Sequence, residues 1–126
     1  MPQTTIVFFR DSRGKVPVLE WLDYLATRDR KAWTNCLARI EQLSSLVHEL
    51  RRPAADYLRD DIRELRAKHG HVQYWILYFF HGRQVAILAH AIVKEGARVP
   101  DADIEKALDR KRAFEANPQA HSNIEG

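Results

Sequence analysis

The sequence predicts an α+β fold in the order β-α-α-β-β-β-α: a small antiparallel sheet packed against a helical hairpin, with a C-terminal helix. Three observations predict it. Residues 72–93 are two aromatic and β-branched runs split by His81-Gly82, the pattern of a tight hairpin. Upstream, two segments repeat apolar residues at three- and four-residue spacing, as amphipathic helices do. Downstream, Pro100 opens a segment with Asp101, Asp103 and Glu105 at its start and Arg110, Lys111 and Arg112 near its end, an order that suits the helix dipole.

Taken along the chain, Thr5 to Arg10 is a β-branched and aromatic run and the expected first strand, followed by a turn at Asp11 to Lys15. Pro17 suits a first helical position, and Val18, Leu22, Leu25 and Ala26 form the stripe behind it, widened by Leu19 and Trp21. Charge at Arg28 to Arg30 breaks that pattern. A longer helix then carries Trp33, Leu37, Ile40, Leu43, Val47 and Leu50 on one face, ended or kinked by Pro53. Cys36, beside the stripe, reads as a small hydrophobe. Ile62 to Lys68 reads as a partly exposed strand bounded by His69-Gly70.

In the hairpin, a two-residue turn would pair Phe80 with Arg83, Tyr78 with Val85, Ile76 with Ile87 and Tyr74 with Ala89. That face is the one expected under the helices. The other carries Gln73, Trp75, Leu77 and Phe79 opposite Gln84, Ala86, Leu88 and His90. On it Gln73, Trp75, His90 and Lys94 make a mixed polar and aromatic patch suited to a binding cleft. The last helix has a narrower stripe of Ile104, Ala107, Leu108 and Phe114, and from Asn117 the chain turns small and polar. The expectation is one domain over residues 1–116 and a loose tail over 117–126.

Composition narrows the class of function. The chain has 126 residues, 45% of them hydrophobic, enough for a real core and against wholesale disorder. One cysteine excludes an internal disulfide framework and suits a reducing cytosol, and no apolar run is long enough to span a bilayer. No basic start precedes the short run Ile6–Phe9, so no secretory leader is expected. There is no phosphate-binding glycine loop, no HExxH and no paired cysteines, and His69-Gly70-His71 lacks a third ligand nearby, so no metal or cofactor is expected. The net charge of +3 is too small to argue for a nucleic-acid partner, but its placement is informative. Arg63, Arg66 and Lys68 share one strand while Lys94 and Arg98 follow another. Cations beside Tyr, Trp or His can hold phosphates while a base stacks; the other reading is a solvated edge strand whose charges prevent pairing.

From Ile62 to Phe114 the sequence resembles the HigB-like, phage-derived toxins of the RelE/ParE superfamily. The resemblance rests on Glu64-Leu65-Arg66, Ile76-Leu77-Tyr78-Phe79, Gly82, His90-Ala91, Lys94 and Pro100 leading into Ile104-Glu105-Lys106-Ala107. Gly14 to Val18 and Trp21-Leu22 extend it to nearly the whole chain. It implies the toxin half of a type II toxin–antitoxin pair in the cytoplasm. The partners implied are a helix-turn-helix, HigA-like antitoxin, through which alone the toxin meets operator DNA, and the ribosome with its mRNA. The implied activity is metal-independent cleavage of mRNA in the ribosomal A site, with the RNA 2′-OH attacking the adjacent phosphate. By position, Arg66 is the implied phosphate clamp, Lys68 and Lys94 are implied electrostatic stabilisers, and His90 is either the group whose ordinary pKa suits acid–base work or a core histidine hydrogen-bonded within the sheet. Arg63, Tyr74, Trp75 and Arg98 are the RNA contacts expected to accompany them. Trp75 stands where many relatives carry an arginine, Glu95 follows Lys94 where a second lysine is common, and no tyrosine matches one used near the last helix. These departures leave open a non-nuclease toxin of the gyrase-inhibiting ParE type, or a decayed corepressor that only binds its antitoxin.

Overall fold

The computed structural model describes residues 4–45, 54–94 and 98–123, and only the backbone of Lys94. In chain order the elements are β1 (Thr5–Phe9), α1 (Pro17–Arg28), α2 (Arg30–Ser45), β2 (Ala55–Arg59), β3 (Ile62–His69), β4 (Val72–Phe80), β5 (Val85–Lys94), α3 (Asp101–Ala116) and β6 (Ser122–Asn123). The α+β class and the helical hairpin on the sheet are as expected from the sequence. Asp29, in the charged break, divides the two helices: its carboxylate accepts the Ala32 N–H at 3.1 Å and so caps α2. The expected continuation of that helix through Val47 and Leu50 to Pro53 lies outside the described residues.

One sheet of six strands runs in the order β2-β3-β4-β5-β1-β6. It is mixed, not wholly antiparallel as expected, because β1 lies parallel to β5 with Thr5 opposite Val85. The helical hairpin that follows β1 carries the chain across one face, and β5 returns alongside it in the same direction. Two strands were not anticipated. β2 joins β3 through Asp60-Asp61, both at positive φ (52° and 66°), a turn usually written with Asn and Gly but open to Asp, whose short polar side chain tolerates the left-handed region. β6 pairs antiparallel with β1, so the tail expected to hang loose from Asn117 folds back over residues 117–123. There His121 stacks on Phe9 with ring centroids 5.2 Å apart, and the Arg10 N–H donates to the His121 carbonyl at 3.0 Å.

Two apolar layers flank the sheet. Under α1 and α2 lie Val18, Leu22, Leu25, Cys36 and Leu43 with Leu65, Ala67, Tyr74, Ile76, Tyr78 and Leu88. Under α3 lie Val7, Phe9, Ile62, Trp75, Leu77, Phe79 and Ile87 with Ile104, Ala107, Leu108 and Phe114. The choice of faces for β4 follows the sequence reading. The β5 register does not. Four residues, His81 to Gln84, separate the strands, and Phe80 pairs with Ala86, Phe79 with Ile87 and Tyr78 with Leu88. That odd shift turns Ala86 and Leu88 toward the helical hairpin, where Ile87 and Ala89 were expected. A register shift between Leu77 and Tyr78 then leaves Ala89 as an extra residue, so that Leu77 faces His90. Such a bulge gives two successive residues one face. His90 therefore reaches the side of α3 that the simpler pairing assigned to it.

Candidate functional site

The registers of β3, β4 and β5 set three cross-strand rows on the α3 side of the sheet. They are Glu64–Leu77–His90, Arg66–Trp75–Ile92 and Lys68–Gln73–Lys94. The first row ends near the start of α3, and the third is the polar end of the sheet. Next to the first row is a cleft of about 310 Å³ between the β2–β3 ribbon and the start of α3, lined by Leu58, Arg59, Glu64, Arg98, Val99, Asp101 and Ile104. The expected cationic pair Arg66 and Lys68 is thus side by side on one face, whereas Arg98 lines the cleft with Glu64 and is not among the residues around that pair.

Arg66 is held by carboxylates. Its Nε donates to Glu64 at 2.9 Å, and Asp56 stands 3.7 Å from a terminal nitrogen. The Glu64 side chain is only 5% exposed, whereas that of Arg66 is 34% exposed. A buried carboxylate left unpaired is expensive, so Arg66 is a structural counter-ion as well as a surface cation. Hydrogen bonding to Glu64 raises the Arg66 pKa further, opposed by partial burial, and keeps it charged. Its Nε and Nη2 are engaged in this way, and the exposed remainder can still meet a phosphate.

His90 is part of a chain, not a free imidazole. Its Nε2 lies 2.8 Å from Asp103 Oδ1, and Arg110 Nη1 stands 3.3 Å from its Nδ1 while donating to the Ala89 carbonyl at 2.7 Å. Arg110 can only donate, which assigns Nδ1 as acceptor and places the ring proton on Nε2, toward Asp103. Burial lowers the His90 pKa below the ordinary 6.5; hydrogen bonding to Asp103 opposes this and the charge of Arg110 adds to it. The ring is neutral at pH 7 and both nitrogens are engaged. Its side chain is 14% exposed, so in this arrangement it ties β5 to α3 instead of facing solvent.

The remaining expected residues are dispersed. Trp75 is fully buried under α3 with Leu77 and Val99, and its Nε1 has no hydrogen-bond partner among the described residues. It has no ring face to offer a base, and the mixed surface patch expected around it is interior at that point. Tyr74 is buried on the opposite side, edge-on to Trp21 at 6.3 Å, and burial raises its pKa. Arg63 points to that same side, with its guanidinium 5.3 Å from the Tyr57 ring centroid and 5.5 Å from that of Phe80. The Lys94 backbone lies opposite Gln73, while its side chain and Glu95 lie outside the described residues. Glu64, Asp56, Asp103 and Arg110 belong to the site and were missed as participants. Glu64 carried a signal, a carboxylate two residues from Arg66 on a strand and so on the same face.

A family model for phage derived proteins of the Gp49-like kind (DUF891) matches residues 20–112. The chain belongs to that family. The Gp49-like family is RelE-like and toxin-like, in keeping with the α+β architecture and with the sequence resemblance at that level. The match runs from within α1 through most of α3, and with them all three cross-strand rows. No curated protein matches the chain in sequence. Among the described residues, no helix of this Gp49-like protein is long and apolar enough to cross a membrane.

Proposed function

We propose that this Gp49-like protein is the toxin of a type II toxin–antitoxin pair, HigB-like in kind, and that it cuts mRNA on the ribosome without a metal. The observation that carries the reading is the placement of Arg66 and Lys68 side by side on one face of β3, with the Lys68 row leading to Gln73 and position 94 at the polar end of the sheet. In that chemistry the 2′-oxygen attacks the neighbouring phosphorus and the 5′-oxygen departs. Negative charge builds on the non-bridging oxygens, where a planar guanidinium and an ammonium fixed on a strand stabilise it. A helix-turn-helix, HigA-like antitoxin that covers this face would silence it, and operator DNA is met only through that partner.

A second reading has its own support. Arg66 already neutralises Glu64, and buried Trp75 occupies the place where relatives have a cation. Both weaken phosphate chemistry and favour a growth-arresting toxin that leaves RNA intact, such as a gyrase inhibitor, or a corepressor without activity of its own.

Induced expression of the chain alone, with mRNA 5′ ends mapped, separates these readings. The control is the double variant Glu64→Gln/Arg66→Gln, which removes the guanidinium without orphaning the carboxylate. Growth arrest with new codon-phased ends, absent in the control, is the expected result. Arrest with intact messages discards the nuclease, and unimpeded growth discards the toxin.

A further inference from the structure

The outer edge of β3 changes partner halfway along. The Arg66 N–H still donates to the Ala54 carbonyl at 2.8 Å, just ahead of β2. Beyond that point the outward carbonyls belong to α2: Arg39 Nε donates to the Arg66 carbonyl and Asn35 Nδ2 to the Lys68 carbonyl, each at 2.8 Å. Two helix side chains thus occupy the place of a strand, and their polar heads are fixed beside Lys68. The concavity between them holds about 330 Å³, lined by Asn35, Ala38, Arg39, Ala67 and Lys68. It shares Arg39, Ala67 and Lys68 with a neighbouring hollow of about 230 Å³ that Arg66 and Gln73 complete.

We propose that this groove holds the sugar–phosphate backbone of single-stranded RNA next to the segment bound at Arg66, with Arg39 and Lys68 as its phosphate contacts. The inference rests on the RNA reading above and extends the same surface around the sheet edge. Three cations line the two hollows and, among the described residues, no carboxylate does. Arg39 spends Nε on the Arg66 carbonyl and Nη1 on Gln42 at 2.9 Å, which locks the plane of its guanidinium without cancelling its charge. A pre-set cation loses little freedom when an anion arrives. The apolar part of the lining is two alanine methyls, so a protein partner would find no pocket for the large side chains that anchor interfaces. Neither hollow is lined by an aromatic ring on which a base could stack. Contacts of this kind fix the path of a strand and read no sequence.

Ala38 is exposed at the mouth of the groove on α2, so its charge can be changed without removing any bond. The test measures binding of the full chain to a short single-stranded RNA, fully 2′-O-methylated so that it cannot be cut, by fluorescence anisotropy over a salt series. Ala38→Glu should bind about fivefold more weakly than Ala38→Gln and Ala38→Lys more tightly. Their salt slopes should differ by about 0.7 for each phosphate gained or lost. Indistinguishable affinities across the three variants would overturn the groove, as would wild-type protein that does not bind this RNA at low salt. The same series is run against a polyglutamate peptide; a response there with none on RNA would assign the groove to an acidic protein segment and overturn the proposal. The interferase reading is judged separately, by the mapped 5′ ends in cells.

Discussion

The two faces of the sheet are built from the same strands and differ in kind. β3 makes this plain, since its odd and even residues meet different surroundings. Leu65 and Ala67 disappear under α1 and α2 into a layer of aliphatic and aromatic carbon. Glu64, Arg66 and Lys68 face the α3 side, where the first two form an ion pair and the third is exposed. On β5 the bulge sends His90 to that side, against Asp103 and Arg110. Both faces therefore pack an apolar layer, but only the α3 face also holds these charges in fixed relation, at the margin of a helix that covers part of the sheet.

The largest effect expected from this contrast is on the packed face. Leu88 is fully buried there, and Leu88→Ala should cost about 3 kcal/mol in urea unfolding, equally at neutral and mildly acid pH. A loss that varied strongly over that pH range would blur the division between the faces. On the charged face, Arg66→Ala should cost about 2–3 kcal/mol because Glu64 is left buried and alone. Glu64→Gln/Arg66→Gln should recover most of that, and a double variant as unstable as the single one would show that packing, not charge, is at stake.

The third expectation concerns pH. The His90 pKa is lowered in the folded chain, so below the ordinary value of 6.5 the unfolded chain takes up a proton that the folded one resists. The contribution is therefore complete above about 6.5 and is lost as pH falls toward the lowered value. Unfolding free energy should decline over that window in the native chain, and His90→Gln should flatten the decline; an unchanged profile would rule His90 out as its source. The smallest effect on stability belongs to Lys68→Gln, within about 0.5 kcal/mol, since Lys68 is exposed. If the charged face serves RNA, that same variant should blunt growth arrest, and full toxicity would move the function elsewhere.

Much of this division was legible in the sequence, and the failures have identifiable causes. Helical spacing located α1, most of α2 and α3, and the alternation of β4 assigned its two faces. Pairing was harder. His81-Gly82 looks like a complete turn, yet Arg83 and Gln84 join it and Phe80 takes Ala86 in place of Arg83 as its partner, an odd shift. A bulge at Ala89 has no local signature in an aliphatic run. β2 escaped notice because Asp60-Asp61 replaces the usual turn glycine. At the site, spacing was enough to put Arg66 and Lys68 together, since residues two apart on a strand share a face. Burial of Trp75 was not legible, because a tryptophan expected on one face with Gln73, His90 and Lys94 fits a binding surface as well as a core. Arg39 and Asn35 gave no hint, as nothing local to α2 says that a sheet edge will need donors there.

The parallel pairing of β1 with β5 bears on how the chain is made. Thr5 finds its partner Val85 only roughly eighty residues later, after both helices and three strands have been synthesised. On the ribosome, β1 and the apolar undersides of α1 and α2 emerge early, while the central strands that receive them are still untranslated. Long-range contacts of this sort close slowly and leave apolar surface waiting. The charged face is completed later still, when α3 delivers Asp103 and Arg110 to His90. In a nascent chain that face thus stays incomplete until α3 has emerged, well after the strands that frame it.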